Sequence, residues 1–566
     1  DSLPYPLSVD ISSSPHRHQH KGISSMDRAR HLRNYDLHSW AGITLGLIVY
    51  IVCFSGAFAL FDNEIKTWED PALRVSVSET PVEINQTFTT WLNNQTGGDE
   101  TEFVRLDYPT THAPYYFGVV HWHDADDNHL DAEQRWDANT GEPIAIRGGG
   151  LSEWILDFHR DFMWPDFLGG RTVGRSLVGI VGIILMLAIL TGIIAHTKIR
   201  EEAYSMRLKR SQRLKWQDSH KVVGLWGLPF YIMIAFTGAY LGVIVIVSQL
   251  IAAIAYKGDV EALVSAVLGP ETEPSGQQVQ MISLDELREM QHPDSGKDPY
   301  MVIMRNYGDS AAEFDVFYPA SSRLTFSDVI WINGATGEPS PPNEYREETG
   351  AMRVANAVTP LHYGTYGGIW LKFLYFALGL SLAVVTALGS MMWIERRKHG
   401  NEGEKTLTFY NRLGYFNTGI VMGLPVATIS IFYLDKLYMG AESARIFATG
   451  WTFFAVWALG LLYACLRRDD YRTTRELLIV TGLLAIGVPV VNGLVTGQWF
   501  PAHVGADHSV AAWVDVAMFV GGALTVLAGY LAPAERLDKQ ARRAKARVAA
   551  DSETAADPEA AAVPAE

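Results

Sequence analysis

The stretch DLHSWAGITLGLIVYIVCFSGAFALF, residues 36–61, decides the fold of this chain. Between Asp36 and Asp62 it contains no acidic or basic side chain other than His38. The hydrocarbon core of a bilayer is about 30 Å thick, so a helix needs roughly 20 apolar residues to cross it. The stretch therefore predicts a transmembrane helix that begins beside His38.

A second stretch, SHKVVGLWGLPFYIMIAFTGAYL at residues 219–241, aligns with the first without a gap. The positions that are identical at a constant offset of 182 residues (220 − 38 = 182) include His38 and His220, Gly42 and Gly224, and Gly56 and Gly238. Apolar composition alone does not produce such a match, so the sequence predicts a repeated membrane unit. Because the two helices run in the same direction, the repeat is parallel, with a pseudo-twofold axis along the membrane normal.

The composition indicates more than two spans. The 566 residues are 48% hydrophobic and only 19% charged, which is not typical of a soluble protein. Apolar runs long enough to cross a bilayer cover about residues 39–60, 173–195, 222–249, 369–394, 413–434, 445–466, 477–497 and 510–532. The predicted fold class is an α-helical polytopic membrane protein with about eight transmembrane helices.

The positions of Lys and Arg predict the orientation. They cluster in every second connection, as in residues 198–218 and 396–398, and basic loops stay on the cytoplasmic side. We therefore expect a bacterial inner membrane location, cytoplasmic N and C termini, and two large periplasmic segments. The formal net charge of −16 beside these basic loops disfavours nucleic acid as a partner and leaves the lipid bilayer as the expected surroundings.

The two exported segments contain similar sequence motifs. Each contains a TGEP turn, at residues 140–143 and 336–339. YYFGVVHW (115–122) and MVIMRNY (301–307) predict strands, and SLDELREMQ (283–291) predicts a helix with Ser283 as its N-cap. We therefore expect two periplasmic α+β domains, inserted in a unit of helix, exported domain and helix that occurs twice.

These expectations divide the chain into membrane helices and the segments between them. The divisions are a cytoplasmic N-terminal segment (1–34), a first transmembrane helix (35–61), a first periplasmic domain (62–170), a second helix (171–197), a cytoplasmic loop (198–218), a third helix (219–249), a second periplasmic domain (250–368), a fourth helix (369–395), four additional C-terminal helices (411–533) and a disordered cytoplasmic tail (534–566).

Five histidines lie at the predicted helix ends: His38, His196 and His220 on the cytoplasmic side, and His159 and His362 on the periplasmic side. An interfacial side chain with its tip among the headgroups is the alternative for each of them. The pseudo-twofold makes His38 equivalent to His220 and His159 equivalent to His362. Facing histidines on neighbouring helices hold a b-type haem without covalent attachment. The sequence thus predicts two bis-histidine haem b groups, one near each membrane face.

The choice of ligands at the cytoplasmic side stays open, because His38, His196 and His220 compete for two axial positions. With both axial positions filled by imidazole, a haem iron has no open site and serves electron transfer. The two cysteines, Cys53 and Cys465, form no C-x-x-C-H motif, so covalent c-type haem attachment is excluded.

Small residues let a flat ligand approach the helix backbone, with plain helix packing as the alternative interpretation. The candidates for packing against haem are Gly42, Gly56, Gly224 and Gly238.

The exported hairpin HWHDADDNHLD, residues 121–131, concentrates further ligand-type side chains. It begins like a calcium loop but lacks the glycine and the final glutamate that such a loop needs. A weak transition-metal or iron contact through His121, His123 and Asp124 is the alternative to a solvated hairpin tip. The sequence points to no catalytic residue.

Several of these motifs resemble one bacterial family. LHSWAGITLGLIVYIVCFSGA, TGIIAHTKIR, WQDSHKVVGLWGLPF, LHYGTYGG and the two TGEP turns, spread over roughly residues 30–400, resemble the PepSY-associated transmembrane proteins, also called iron-regulated membrane proteins. Relatives include inner-membrane siderophore reductases that bind two haems. The resemblance implies that the exported segments are PepSY domains and that the haem-ligand pool is His38, His159, His196, His220 and His362. One motif departs from the family, since LPFY, with Tyr231, replaces the common LPFH.

Two hypotheses follow. The first is a di-haem oxidoreductase that passes electrons to a periplasmic acceptor, a ferric siderophore or another iron chelate. No nucleotide-binding motif is visible, so the electron donor is either membrane quinol or a separate cytoplasmic reductase. The second is a haem-free membrane transporter or assembly factor whose PepSY domains bind ligands or partner proteins.

Overall fold

A computed structural model describes residues 25–76, 78–97, 101–111, 113–124, 126, 128–147, 150–195, 199–207, 212–268, 272–320, 324–325, 327–340, 350–398, 404–504 and 510–534. The candidate ligand His196, residues 1–24 of the expected N-terminal segment and residues 535–566 of the expected tail lie outside these ranges.

The first repeat runs from a pair of helices through an α/β segment to a long helix. Its elements are α1 (Ser25–Thr44), α2 (Gly46–Ala59), α3 (Asp62–Glu69), α4 (Asn85–Thr96), β1 (Thr101–Asp107), β2 (Tyr115–His123), β3 (His129–Asp137), β4 (Pro143–Ile144), α5 (Leu151–Asp161) and α6 (Gly170–Ala195).

The second repeat follows a short helix, α7 (Ile199–Glu202), and shows the same succession. Its elements are α8 (Gln212–Trp226), α9 (Leu228–Ala255), α10 (Val260–Leu268), α11 (Leu284–Glu289), β5 (Met301–Arg305), β6 (Glu313–Pro319), β7 (Ser327–Asn333), α12 (Gly350–Tyr363) and α13 (Gly368–Arg397). The C-terminal unit then consists of α14 (Glu404–Leu437), α15 (Arg445–Arg467), α16 (Asp470–Thr496), α17 (Phe500–His503) and α18 (Val510–Leu531).

The helices support a protein that crosses a membrane several times. In the described part of the chain, seven helices are long and apolar enough to span a bilayer, and the pair of α1 and α2 makes up to eight. The first span is not the straight helix expected over 39–60, because Leu32–Thr44 and Gly46–Ala59 meet at a bend of 63°.

The third span, expected over 222–249, is interrupted in the same way between α8 and α9. The break falls at Gly227, which is 182 residues after Leu45 (227 − 45 = 182). Pro229 follows in the first turn of α9, where its missing N–H and fixed φ are tolerated, whereas a helix interior would not accommodate it. Each histidine-bearing segment, α1 and α8, is therefore a separate helix that precedes the apolar span.

The segments 62–170 and 250–368 differ from the expectation of two separate domains, because their strands form one antiparallel sheet in the order β4-β3-β2-β1-β5-β6-β7. The two halves meet where β1 pairs with β5, with Val104 opposite Met304 and Leu106 opposite Val302. One face of this sheet packs on α4 and α11 around residues such as Phe88. The predicted strands are confirmed as β2 and β5.

Local sequence signals explain the turns and caps of this sheet. Ser283 accepts a hydrogen bond from the N–H of Asp285 at the start of α11, which confirms the predicted N-cap. Gly141 and Gly337 of the two TGEP turns have φ of 72° and 71°, a left-handed conformation that favours glycine.

Helices α4 and α11 also cap each other. The carboxylate of Asp285 accepts hydrogen bonds from the N–H groups of Ile84 and Asn85 at 2.8 and 3.1 Å. In return, the side-chain oxygen of Asn85 accepts from the N–H of Leu284 at 3.0 Å. These bonds satisfy backbone donors that a helix N-terminus leaves without an intrahelical partner, and they join the two halves of the exported domain.

Candidate functional site

Four of the five candidate histidines come together in two couples. The imidazole centroids of His38 and His220 are 6.1 Å apart, and those of His159 and His362 are 6.4 Å apart. We call them the distal pair and the sheet-side pair, because α5 and α12 connect the sheet to the membrane helices. The structure thus pairs His38 with His220, while His196 lies outside the described residues.

The local fold sets each histidine of the sheet-side pair at the end of a short helix. His159 lies in the last turn of α5, which ends where Phe162 adopts a left-handed φ of 57°. His362 lies in the last turn of α12, and Gly364 follows with a φ of 65°. In both repeats the chain then turns into a membrane helix, so the fold brings equivalent histidines to one level.

All four rings use Nδ1 in a hydrogen bond to another helix. For the distal pair the acceptors are the carbonyl oxygens of Ala188, 2.9 Å from His38, and of Val385, 2.8 Å from His220. An imidazole that donates from Nδ1 carries its lone pair on Nε2, the form in which histidine binds a metal.

The sheet-side pair shows the same chemistry. Nδ1 of His159 lies 3.1 Å from the carbonyl oxygen of Val52, and Nδ1 of His362 lies 3.0 Å from the hydroxyl of Thr237. Burial lowers the pKa of His159 to about 4 and that of His362 to about 3, with a further contribution at His362 from the neighbouring His159. Both rings are therefore neutral at neutral pH, as metal ligation requires.

The centroid distances match the span of one metal between two imidazoles. A metal–imidazole nitrogen bond is about 2.0 Å and the ring centre lies about 1.1 Å further back, so two trans imidazoles have centroids about 6.2 Å apart. Among the described residues, no group of three or more His, Cys, Asp or Glu side chains is placed to hold a metal ion. Each pair by itself offers two imidazoles at a separation that one metal ion can bridge.

Each ring packs on a glycine of a neighbouring helix. A Cβ added to Gly56 would lie 2.6 Å from Cε1 of His159, and one on Gly238 would lie 3.1 Å from Cε1 of His362. By contrast, a Cβ on Gly42 or Gly224 would meet no atom within 4 Å, so these two predicted packing residues do not contact the histidines.

The distal pair uses glycines that the sequence reasoning did not select. A Cβ on Gly192 would lie 3.1 Å from His38, and one on Gly389 would lie 3.4 Å from His220. Both glycines lie at the ends of apolar runs, at comparable positions of the two repeats. This is the sequence pattern from which they could have been selected. Their role shows only when the opposing ring is known.

A cavity of about 290 Å³ adjoins the sheet-side pair. Its walls are mostly apolar and include His159, His362 and Gly56. Two cationic side chains, Arg160 and Arg175, also line it. Nε of Arg175 is buried and has no hydrogen-bond partner among the described residues, and the guanidinium places a positive charge beside the cavity.

A family model described as the PepSY-associated TM region matches residues 35–396. The chain belongs to this family. An uncharacterized protein of Pseudomonas aeruginosa is 27% identical over 335 residues, which cover 56% of this chain and 82% of that protein. The family match includes all four paired histidines and ends within α13, so the C-terminal unit of this PepSY-associated protein lies beyond it.

The two pairs lie close enough to act together. Gly379 of α13 packs against Ala57, the neighbour of Gly56, and Gly389 of the same helix packs against His220. Ten residues separate these two glycines (389 − 379 = 10), which corresponds to about 15 Å along a helix. An apolar cluster that includes Tyr231, which is 2% exposed, lies beside this stretch of α13, and several of its members also line the cavity.

The hairpin of β2 and β3 does not bring the three predicted ligands His121, His123 and Asp124 together. Asp124 instead accepts hydrogen bonds from the N–H groups of Asp126 and Asn128 and from the Asn128 amide, which close the hairpin turn. His121 lies nearest to another imidazole, that of His129, with 3.4 Å between the ring nitrogens, and His123 lies 4.0 Å from the carboxylate of Glu102.

Proposed function

We propose that this PepSY-associated membrane protein carries electrons across the bacterial inner membrane through two b-type haems, one held by each histidine pair. The observation that carries the proposal is the presence of two facing imidazole couples, at 6.1 and 6.4 Å, related by the internal repeat. A single interfacial histidine needs no partner at this distance, whereas an axial ligand does.

The residues present fit haem. His159 and His362 would hold the iron of the sheet-side group, and the missing side chains of Gly56 and Gly238 leave room for these two rings against the neighbouring helices. Arg175 would receive a propionate at its unsatisfied Nε. When bound, a haem with two imidazole ligands supplies single-electron transfer and no open coordination site.

The protein's own part in electron transfer is to fix positions and exclude water. The Nδ1 hydrogen bonds lock each ring in one tautomer and orientation, so the ligands need little rearrangement when the iron changes charge. The spacing of about 15 Å between the two ligand levels keeps the tunnelling distance short, and electron tunnelling falls off steeply with distance.

We further propose that the electrons leave on the periplasmic side, to a ferric siderophore or another iron chelate. Adding one electron converts Fe(III) to Fe(II), which binds hard oxygen ligands more weakly, so the metal can leave the chelator. Membership of the PepSY-associated family and the resemblance to inner-membrane siderophore reductases support this acceptor. The donor would be quinol or a cytoplasmic reductase.

A visible spectrum of the purified full-length protein tests the proposal. We expect a Soret band, a reduced α-band typical of b-type haem, and about two haems per chain. The dithionite-reduced protein should be reoxidised when a ferric siderophore is added. Absence of haem would exclude the electron-carrier function, and haem without reoxidation would exclude the iron-reductase step alone.

A further inference from the structure

The C-terminal unit contacts the two repeats unequally. In the first repeat, Trp154 and Phe158 of α5 pack on Phe453 of α15, with ring centroids 4.4 and 5.0 Å apart. All three side chains are 5% exposed or less. Phe158 directly precedes His159, so the helix that presents one sheet-side ligand is held against the C-terminal unit.

The beginning of α5 is held by a second set of contacts. The carboxylate of Glu69, at the end of α3, accepts a hydrogen bond from the N–H of Ser152 at 2.7 Å. Lys436 of α14 donates to the carbonyl oxygens of Trp68 and Glu69 at 2.8 and 2.9 Å. Because Lys436 is buried, this contact fixes the residues that cap α5.

Two further helices of the C-terminal unit stabilise the residues around Glu69. The indole N–H of Trp68 donates to the carboxylate of Asp515 in α18 at 2.7 Å, and the amide of Asn492 in α16 donates to the same carboxylate at 2.8 Å. Asp515 and Asn492 are each 1% exposed. The C-terminal unit therefore holds α5 at both ends, through its aromatic face and through its N-terminal cap.

The equivalent helix of the second repeat has a different environment. Leu151 lies eight residues before His159 and is 1% exposed, whereas Val354 lies eight residues before His362 and is 57% exposed. The two ligands of the sheet-side pair are thus related by the repeat but supported differently.

We propose that the C-terminal unit is a positioning element for His159, which holds this ligand rigid, while its partner His362 lies on α12, a helix packed on α9 of the second repeat. The inference rests on the proposed haem site for its spectroscopic consequence. It assigns a role to the helices beyond the family match: they fix one axial ligand of the sheet-side group through Phe453 and the cap at Glu69.

The test uses Phe453→Ala in the full-length protein, with Phe447→Ala as the matched control. Phe447 lies in the same helix and is 69% exposed. Hydrogen exchange of the α5 amides, residues 151–161, should become roughly tenfold faster in Phe453→Ala than in the control. Exchange in α12, residues 350–363, should stay unchanged, because Phe453 packs on α5 and the substitution removes that contact.

Carbon monoxide gives the second readout. It binds a ferrous haem only where an axial ligand has left, so the reduced Phe453→Ala protein should bind it at one haem per chain while the distal haem keeps its spectrum. Phe453→Leu should restore most of the native behaviour, because it refills the contact with Trp154 and Phe158.

The possible outcomes distinguish the electron-carrier proposal from the positioning role of the C-terminal unit. Wild-type protein without haem would remove the electron-carrier proposal, while faster exchange confined to α5 would still support the positioning role. Equal acceleration in α5 and α12, or no change in either, would overturn it. If Phe453→Ala does not fold, Gly450→Ala replaces it, since the added Cβ would lie 3.2 Å from the indole nitrogen of Trp154 and displace that ring.

Discussion

The imidazole planes of His159 and His362 are inclined by only 19°, whereas those of His38 and His220 are inclined by 68°. Both couples have the same separation and the same Nδ1 chemistry, so ring orientation is the main difference between them. In a bis-imidazole iron site, the relative orientation of the rings controls the splitting of the iron d orbitals. The two proposed haems should therefore be spectroscopically distinct.

We expect the oxidised protein to show two low-spin ferric signals in electron paramagnetic resonance. The nearly parallel sheet-side pair should give a rhombic signal, and the steeply inclined distal pair should give a signal with a larger maximum g value. His362→Ala should abolish the rhombic signal and leave the other. His292→Ala is the control, because that ring is hydrogen-bonded within an exported loop. A single signal in the wild type would contradict the two-pair arrangement.

Gly56→Ala should lower the haem-to-protein ratio from about two to about one. Its Cβ would lie 2.6 Å from Cε1 of His159, closer than real contacts allow, so the ring must leave its position. The expected loss does not come from helix propensity, since Gly to Ala in a helix interior stabilises by about 0.5–1 kcal/mol.

The matched control is Gly521→Ala in α18 of the C-terminal unit, where an added Cβ also meets nothing within 4 Å. This variant should keep both haems. The ratio can be measured as the pyridine haemochrome per mole of protein. Equal ratios in the two variants would show that the glycine contact does not matter for binding.

The couples themselves could be predicted from the sequence because the repeat preserves an offset of 182 residues between His38 and His220. Choosing between this couple and one that includes His196 could not be done from the sequence, since three histidines approach the same membrane face. The packing of α1 on α6 and of α8 on α13 brings His38 and His220 together, while His196 lies outside the described residues.

The pairing of the two halves into one shared sheet could also not be predicted from the sequence. The alternation in residues 115–122 (β2) and 301–307 (β5) predicts strands, but an edge strand of either half has the same pattern as a strand that pairs on both sides. The contact between Val104 and Met304 joins residues 200 positions apart (304 − 104 = 200), which local periodicity does not reveal. The bend at Leu45 likewise has no proline or charged residue beside it to indicate it.

Arg175→Gln should make the midpoint potential of the sheet-side haem more negative by roughly 60 mV, the equivalent of a tenfold change for a one-electron couple. A nearby positive charge favours the reduced form, and Nε of Arg175 has no competing partner among the described residues. Arg171→Gln is the control, since Arg171 lies one turn earlier and its guanidinium is bound to Asp157 at 3.1 Å. Spectroelectrochemical titration measures both potentials, and the same shift in both variants would argue against a specific contact.

Glu69→Gln should flatten the pH dependence of stability in detergent. Burial, reinforced by the charge of Asp435, raises the pKa of Glu69 from its usual 4.5 to about 7. The folded protein therefore binds more protons than the unfolded chain between these values, so the free energy of unfolding falls as pH rises from about 4.5 to about 7. Glutamine keeps an oxygen acceptor for the N–H of Ser152 and removes the titration.

Melting temperatures measured at intervals across this window test that expectation, with Glu79→Gln as the control because Glu79 is exposed. The wild type and the control should lose stability toward pH 7 by a similar amount, and Glu69→Gln should lose less. Since Glu69 caps α5, the same series links proton binding at this cap to the helix that carries His159. Parallel pH profiles for all three proteins would show that Glu69 stays ionised in the folded state.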